Sequence, residues 1–139
     1  MTRLFIDTGG WANLFIRTEP YYNQSTALVR QVVNAGNTVL TSNYVLAELS
    51  ALMMKPLRVP LPLRLKILNQ IRSSSWVNVA HVDADLDAAS WEYLTSHSDK
   101  DYSLVDCSSF VLMEKHRLRE ALTEDRHFEQ AGFIRLLRR

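Results

Sequence analysis

The sequence predicts an α/β protein: a three-layer α/β/α sandwich built on a mostly parallel sheet of four or five strands. Two observations carry this. Short apolar runs alternate with helix-like stretches four times over, and such alternation means parallel strands joined by helical crossovers. Capping and breaking residues also fall at the joints between these stretches, where the fold needs them. With 139 residues, 47% of them hydrophobic and 22% charged, the chain has an ordinary globular composition and the length of a single domain over residues 1–139.

The elements follow in order. "RLFI", residues 3–6, is the first strand; Leu4, Phe5 and Ile6 head into a core before Asp7, Thr8 and two glycines. Residues 21–36 form a helix, with Ala27, Leu28, Gln31, Val32 and Ala35 on one face and Gly36 placed as the C-cap. "TVLT", 38–41, is the second strand. Ser42 caps a helix over 43–54, which stops before Pro56. "LRVPLP" is a proline-punctuated connection, and residues 63–72 make an amphipathic helix. "WVNVAHV", 76–82, alternates as the third strand. Asp83 or Asp85 caps a helix over 86–97. The polar loop "SDKDY" leads to a helix over 103–116, then "REALT", 119–123, is the fourth strand. Residues 125–132 form a short turn or helix, and "FIRLL", 133–137, is the last strand.

Composition excludes several classes. One cysteine, Cys107, allows no intrachain disulfide, and its apolar neighbours suit a buried small side chain better than a nucleophile. The apolar run before Asp7 is too short for a signal-peptide core, and no run approaches a membrane span. The expectation is a soluble, cytoplasmic protein. Net charge is only +1, so no bulk field announces a nucleic-acid partner. Positive charge is uneven, however: Arg135, Arg138 and Arg139 crowd together, as do Arg58, Arg64, Lys66 and Arg72. Solvated surface is the plain reading of both groups. Trp11, Trp76 and Trp91 are expected in the core. His81, His97, His116 and His127 show no zinc-type spacing, and no phosphate-binding glycine loop or G-x-S-x-G elbow is present.

Four acids stand out. In open parallel sheets ligands bind beyond the carboxyl ends of the strands. Asp7 ends the first strand, Asp125 lies just past the fourth, Glu48 is on the helix after the second, and Asp106 is in the first turn of the helix before the fourth. Capping alone accounts for several of them. Asp7 and Asp125 can each cap a following helix, and Ser103 with Asp106 fits a capping box. Glu48 and Ser50 are the clearly polar residues of 44–54, so Glu48 is expected to be at least partly buried, with a partner. The combination says more. Two unit charges about 4 Å apart repel by roughly 4 kcal/mol at an effective dielectric near 20. A converged cluster must protonate, attract basic side chains or bind a cation. Hard oxygen ligands suit Mg2+ or Mn2+, and the chemistry that follows is attack of activated water on a phosphodiester.

"LFIDTGGW", the acid within "TSNYVLAELSALM", and "DYSLVDCSSFVLMEKHRLREALTEDRHFEQAGF" together resemble a PIN domain, and more narrowly the VapC-like ribonuclease toxins of toxin–antitoxin pairs. The resemblance covers nearly the whole chain and is strongest over 101–133; residues 56–91 carry no diagnostic motif. It implies that Asp7, Glu48, Asp106 and Asp125 hold one or two divalent metals, with Mg2+ or Mn2+ as cofactor, and cleave RNA. It implies that Thr8 and Asn13 orient water. It also implies a cognate antitoxin and a homodimer. Asp99 and Asp101 lie near Asp106, but "SLVD" aligns the family acid with Asp106. Haloacid-dehalogenase-type phosphatases would need an acid where Gly9 stands, and receiver domains an acidic pair and a lysine that are missing. The remaining alternative is a non-catalytic RNA- or protein-binding module of the same fold.

Overall fold

The computed structural model describes all 139 residues. Twelve elements follow one another: β1 (Thr2–Ile6), α1 (Thr8–Phe15), α2 (Tyr22–Asn34), β2 (Thr38–Ser42), α3 (Asn43–Met54), α4 (Leu61–Ser73), β3 (Val77–Ala80), α5 (Ala84–Ser96), α6 (Leu104–Lys115), β4 (Glu120–Leu122), α7 (Arg126–Gln130) and β5 (Ile134–Arg135). The five strands pair only in parallel, in the order β3-β2-β1-β4-β5. Parallel strands are covered on both faces, so they read as continuous apolar runs. Leu4, Phe5 and Ile6 of the central strand are accordingly all buried.

From β1 the chain winds outward through β2 and β3, then returns to the other side of β1 with β4 and β5. The order reverses between β1 and β4, which is where a doubly wound sheet opens a crevice. Asp7 follows β1 and Asp125 follows β4, so both lie at this switch point.

Most expected elements form, with shifted ends. The third and last strands are shorter than their apolar runs, at Val77–Ala80 and Ile134–Arg135. The amphipathic helix starts earlier, with Pro62 in its first turn, where a missing N–H costs nothing. Ser42, Asp83 and Ser103 cap α3, α5 and α6, accepting from Val45 N, Leu86 N and Asp106 N.

The stretch after Asp7 was less legible. Helix α1 begins at Thr8, so the two glycines lie inside its first turn rather than before it. A Cβ on Gly10 would stand 2.0 Å from the Leu122 carbonyl oxygen. Glycine lets α1 lie directly on the end of β4, and this packing outweighs its poor helix propensity. Trp11 is fully buried, and its indole N–H donates to Thr41 Oγ1 at 2.9 Å. The tryptophan expectation fails for Trp91, which is 50% exposed on α5, and holds in part for half-buried Trp76. Cys107 is buried, which pushes its thiol up to about 11 and leaves it inert at neutral pH.

Candidate metal and nuclease centre

Asp7 is the innermost of the four acids, 8% exposed. As the α1 N-cap its Oδ1 accepts from Gly10 N at 2.7 Å. Its Oδ2 accepts from the Thr123 hydroxyl at 2.5 Å. Thr123 Oγ1 in turn accepts from Asp125 N at 3.0 Å. One buried hydroxyl therefore ties the acid after β1 to the acid after β4.

Asp106 sits in the first turn of α6. Its Oδ2 closes the capping box by accepting from Ser103 N at 3.1 Å, and also faces His127 Nδ1 at 3.0 Å. Asp125 caps α7, its Oδ1 accepting from His127 N at 2.9 Å, with His127 Nδ1 3.5 Å away. Asp106, Asp125 and His127 each offer a ligand atom within 4.8 Å of the others. Asp106 Oδ1 and Asp125 Oδ2 have no hydrogen-bond partner in the protein. The capping and clustering accounts thus both hold for these residues: the cap geometry is what aims the carboxylates.

The acids disturb one another as their proximity requires. Burial pushes Asp7 up to about 7, reinforced by the negative charges of Asp125 and Asp106 and opposed by the Thr123 and Gly10 hydrogen bonds. Burial and the Asp125 charge also raise Asp106, against the pull of Ser103 N–H and His127. Without a cation, the cluster relieves its repulsion partly by holding a proton and partly by drawing in a histidine.

Glu48 departs from expectation. It is exposed rather than partly buried. The helical period turns Val45, Leu49 and Met53 inward and leaves Glu48 at the rim. Its Oε1 accepts from the Thr8 hydroxyl at 2.6 Å. Glu48 therefore reaches the three aspartates through the residue next to Asp7, not by joining them directly. Asn13 is fully buried and fully engaged: its amide donates to Gly9 O and Glu124 Oε1, and its oxygen accepts from Tyr21 N. Asp101 is exposed, as is Asp99, which pairs loosely with Lys100.

Three contributors escaped the sequence reading. Thr123 is an ordinary strand-end residue until Asp7 and Asp125 are known to flank it. His127 was sought as a zinc ligand by spacing to other histidines, whereas its partners are aspartates. The Asp-x-His spacing of 125 and 127 was the available signal. Glu124 lies against Asn13 and near Glu19, whose carboxyl is raised by burial and by the Glu124 charge.

Comparison with known proteins identifies the family of this fold. A family model described as PIN domain matches residues 4–134. VapC20 of Mycobacterium tuberculosis, named a 23S rRNA-specific endonuclease, is 33% identical over 131 residues, spanning 94% of this chain and 95% of that protein. VapC26 of the same organism, named a ribonuclease, is 27% identical over 126 residues, 90% of this chain and 89% of its own. The crystal structure of VapC20, described as a sarcin–ricin-loop-cleaving toxin, superposes with a TM-score of 0.80 at 32% identity, covering 94% of this chain and 96% of that one. FitAcB from Neisseria gonorrhoeae shares the fold, with a TM-score of 0.64 at 17% identity and 94% coverage of each chain. The chain belongs to the PIN-domain family, on the side of its VapC members.

Proposed function

We propose that the protein is a divalent-metal-dependent endoribonuclease and the toxin of a toxin–antitoxin pair. The observation that carries this is the meeting of Asp7, Asp106 and Asp125 at the switch point of the sheet, where burial and then neighbouring carboxylate charge raise the first two carboxyls. The kinship with ribosomal-RNA and RNA endonucleases supports RNA as the substrate class, with 23S rRNA the first to test. No helix is long and apolar enough to cross a membrane.

Asp7, Asp106 and Asp125 would hold Mg2+ or Mn2+. The donor set fits: carboxylate oxygens of a hard-ligand type, two of them free of protein partners, in a crevice where negative charge is already in excess. When bound, the ion lowers the pKa of a water and offsets charge on the phosphate. The remaining steps belong to the chain. Asp7 would bind such an ion as the deprotonated carboxylate. Thr123 and Gly10 N–H keep its carboxylate oriented. His127 holds Asp106 toward Asp125. Glu48, turned by Thr8, takes the proton of the attacking water on its free Oε2.

The test is incubation with labelled RNA in Mg2+, Mn2+ or EDTA. Cleavage in either metal, abolished by EDTA and by D7N, is expected. Binding without cleavage would instead favour a non-catalytic module. A cognate antitoxin and a homodimer complete the proposal. Exposed Met54, Leu61, Leu63 and Leu65 on α3 and α4 offer apolar surface for such contacts. Light scattering of the isolated chain tests the dimer.

A further inference from the structure

We propose that the pocket lined by Tyr21, Arg126, Arg135, Arg138 and Arg139 is the subsite that grips the RNA strand beside the scissile phosphate. The inference deepens the nuclease reading and rests on it.

The pocket is about 400 Å³ in volume and carries four guanidinium groups. Arg135 is the anchor: its Nε lies 2.7 Å from Glu129 Oε1, and its NH1 donates to Glu124 O at 3.0 Å. Arg138 shares the same glutamate at 3.9 Å. Arg126 and Arg139 have no carboxylate partner and are exposed. Of the four arginines only Arg135 and Arg138 are paired, both with Glu129, in a protein whose net charge is +1. The net charge of the chain does not announce this local gathering of guanidiniums.

Position gives the pocket its meaning. Arg126 follows Asp125, and Arg135 is bonded to the carbonyl of Glu124. On the opposite wall, the Tyr21 N–H is held by Asn13, which also binds Gly9, two residues from Asp7. Arg126 of the pocket is thus the chain neighbour of Asp125, and Arg135 of the pocket is tied to Glu124 on the other side of the same aspartate. An RNA strand that leaves the acidic crevice past this pocket meets Arg126 and Arg139, two exposed guanidiniums without a carboxylate partner. Guanidinium forks match phosphate oxygens in a two-bonded geometry that lysine lacks. Tyr21, half-buried against the core, lines the same pocket, and an aromatic side chain beside guanidiniums suits an unstacked base of single-stranded RNA. An acidic peptide would use the cations but has no need of the ring or of adjacency to the aspartates. Arg135, Arg138 and Arg139 lie outside the residues matched by the family model, 4–134.

The test uses the full chain, a labelled stem-loop RNA and the exposed pair R126A/R138A. Binding is followed against salt in EDTA, and cleavage against RNA concentration in Mg2+ and Mn2+. Each lost contact to a single-stranded phosphate should lower the log–log salt slope by about 0.7, so the double variant loses about 1.4. KM should rise on the order of tenfold with kcat unchanged. K115A/R119A removes equal charge at the other end of α6 and β4, and should behave as wild type; a melting curve confirms that both variants fold. A double variant with wild-type slope and KM overturns the proposal. So does an equal loss in K115A/R119A, or no RNA binding by the wild type. If the wild type binds with the expected slope but cleaves in neither metal, the nuclease reading fails while the pocket's role as an RNA grip stands.

Discussion

Replacing Asp7 by asparagine should make the metal-free protein more stable while removing its activity. Burial and two neighbouring carboxylates hold the Asp7 pKa near 7, against about 3.9 in the unfolded chain. A carboxyl raised in this way contributes its full stability below about pH 4 and loses it as pH climbs through 7. The gap of about three pH units corresponds to about 4 kcal/mol lost by the wild type above pH 7. Asparagine carries no such charge. Its Oδ1 can still accept from Gly10 N, but its NH2 meets the Thr123 hydroxyl, which must turn; that costs about 1 kcal/mol. The net gain at pH 8 is about 3 kcal/mol, or about 10 °C in Tm for a chain of this length. Thermal melts of both proteins in EDTA from pH 4 to 9 measure it. The curves should nearly coincide near pH 4, diverge up to 7 and run parallel above. Added Mg2+ or Mn2+ should raise the wild-type Tm and leave D7N nearly unmoved. If D7N melts at or below the wild type in EDTA at pH 8, then Asp7 is not held under electrostatic load, and the argument for a cation is lost.

Other perturbations separate scaffold from chemistry. G10A places a methyl 2.0 Å from the Leu122 carbonyl, so urea unfolding should show a loss of about 3 kcal/mol or more, or no folded protein. T123V leaves Asp125 N–H without its acceptor and Asp7 Oδ2 without its donor; metal affinity should fall at least tenfold by calorimetric titration, with a stability loss of about 1–3 kcal/mol. D106N should weaken metal binding sharply, because the first turn of α6 itself repels cations; an unchanged Mg2+ titration would refute the ligand assignment. E48Q, at an exposed position, should leave stability within about 0.5 kcal/mol of wild type and lower kcat by about 100-fold or more, with metal affinity altered far less.

Periodicity and caps made the architecture readable. Ser42 and Ser103 announce α3 and α6 because a helix start needs a local acceptor, and locality is what sequence preserves. Asp7, Asp106 and Asp125 could be placed at one edge for the same reason: each lies next to a strand end or helix start. What stayed hidden depends on contacts across the chain. Gly10 is inside a helix because of Leu122, 112 positions away in sequence. Thr123 matters through Asp7, and His127 through Asp106. Glu48 looked buried because its neighbours are apolar, but composition does not say which way a helix is rotated. Trp91 misled in the same way on α5.

The seating of Gly10 on Leu122 has a mechanical consequence. Asp7 and Asp125 are carried by segments locked together backbone to backbone, so the main-chain spacing of these two acids is a fixed gauge. Asp106 and Glu48 ride on α6 and α3 and are joined to the gauge by single hydrogen bonds through His127 and Thr8. A bound partner that switches the enzyme off by distortion, rather than by blocking the crevice, has to do so by tugging on one of those two helices.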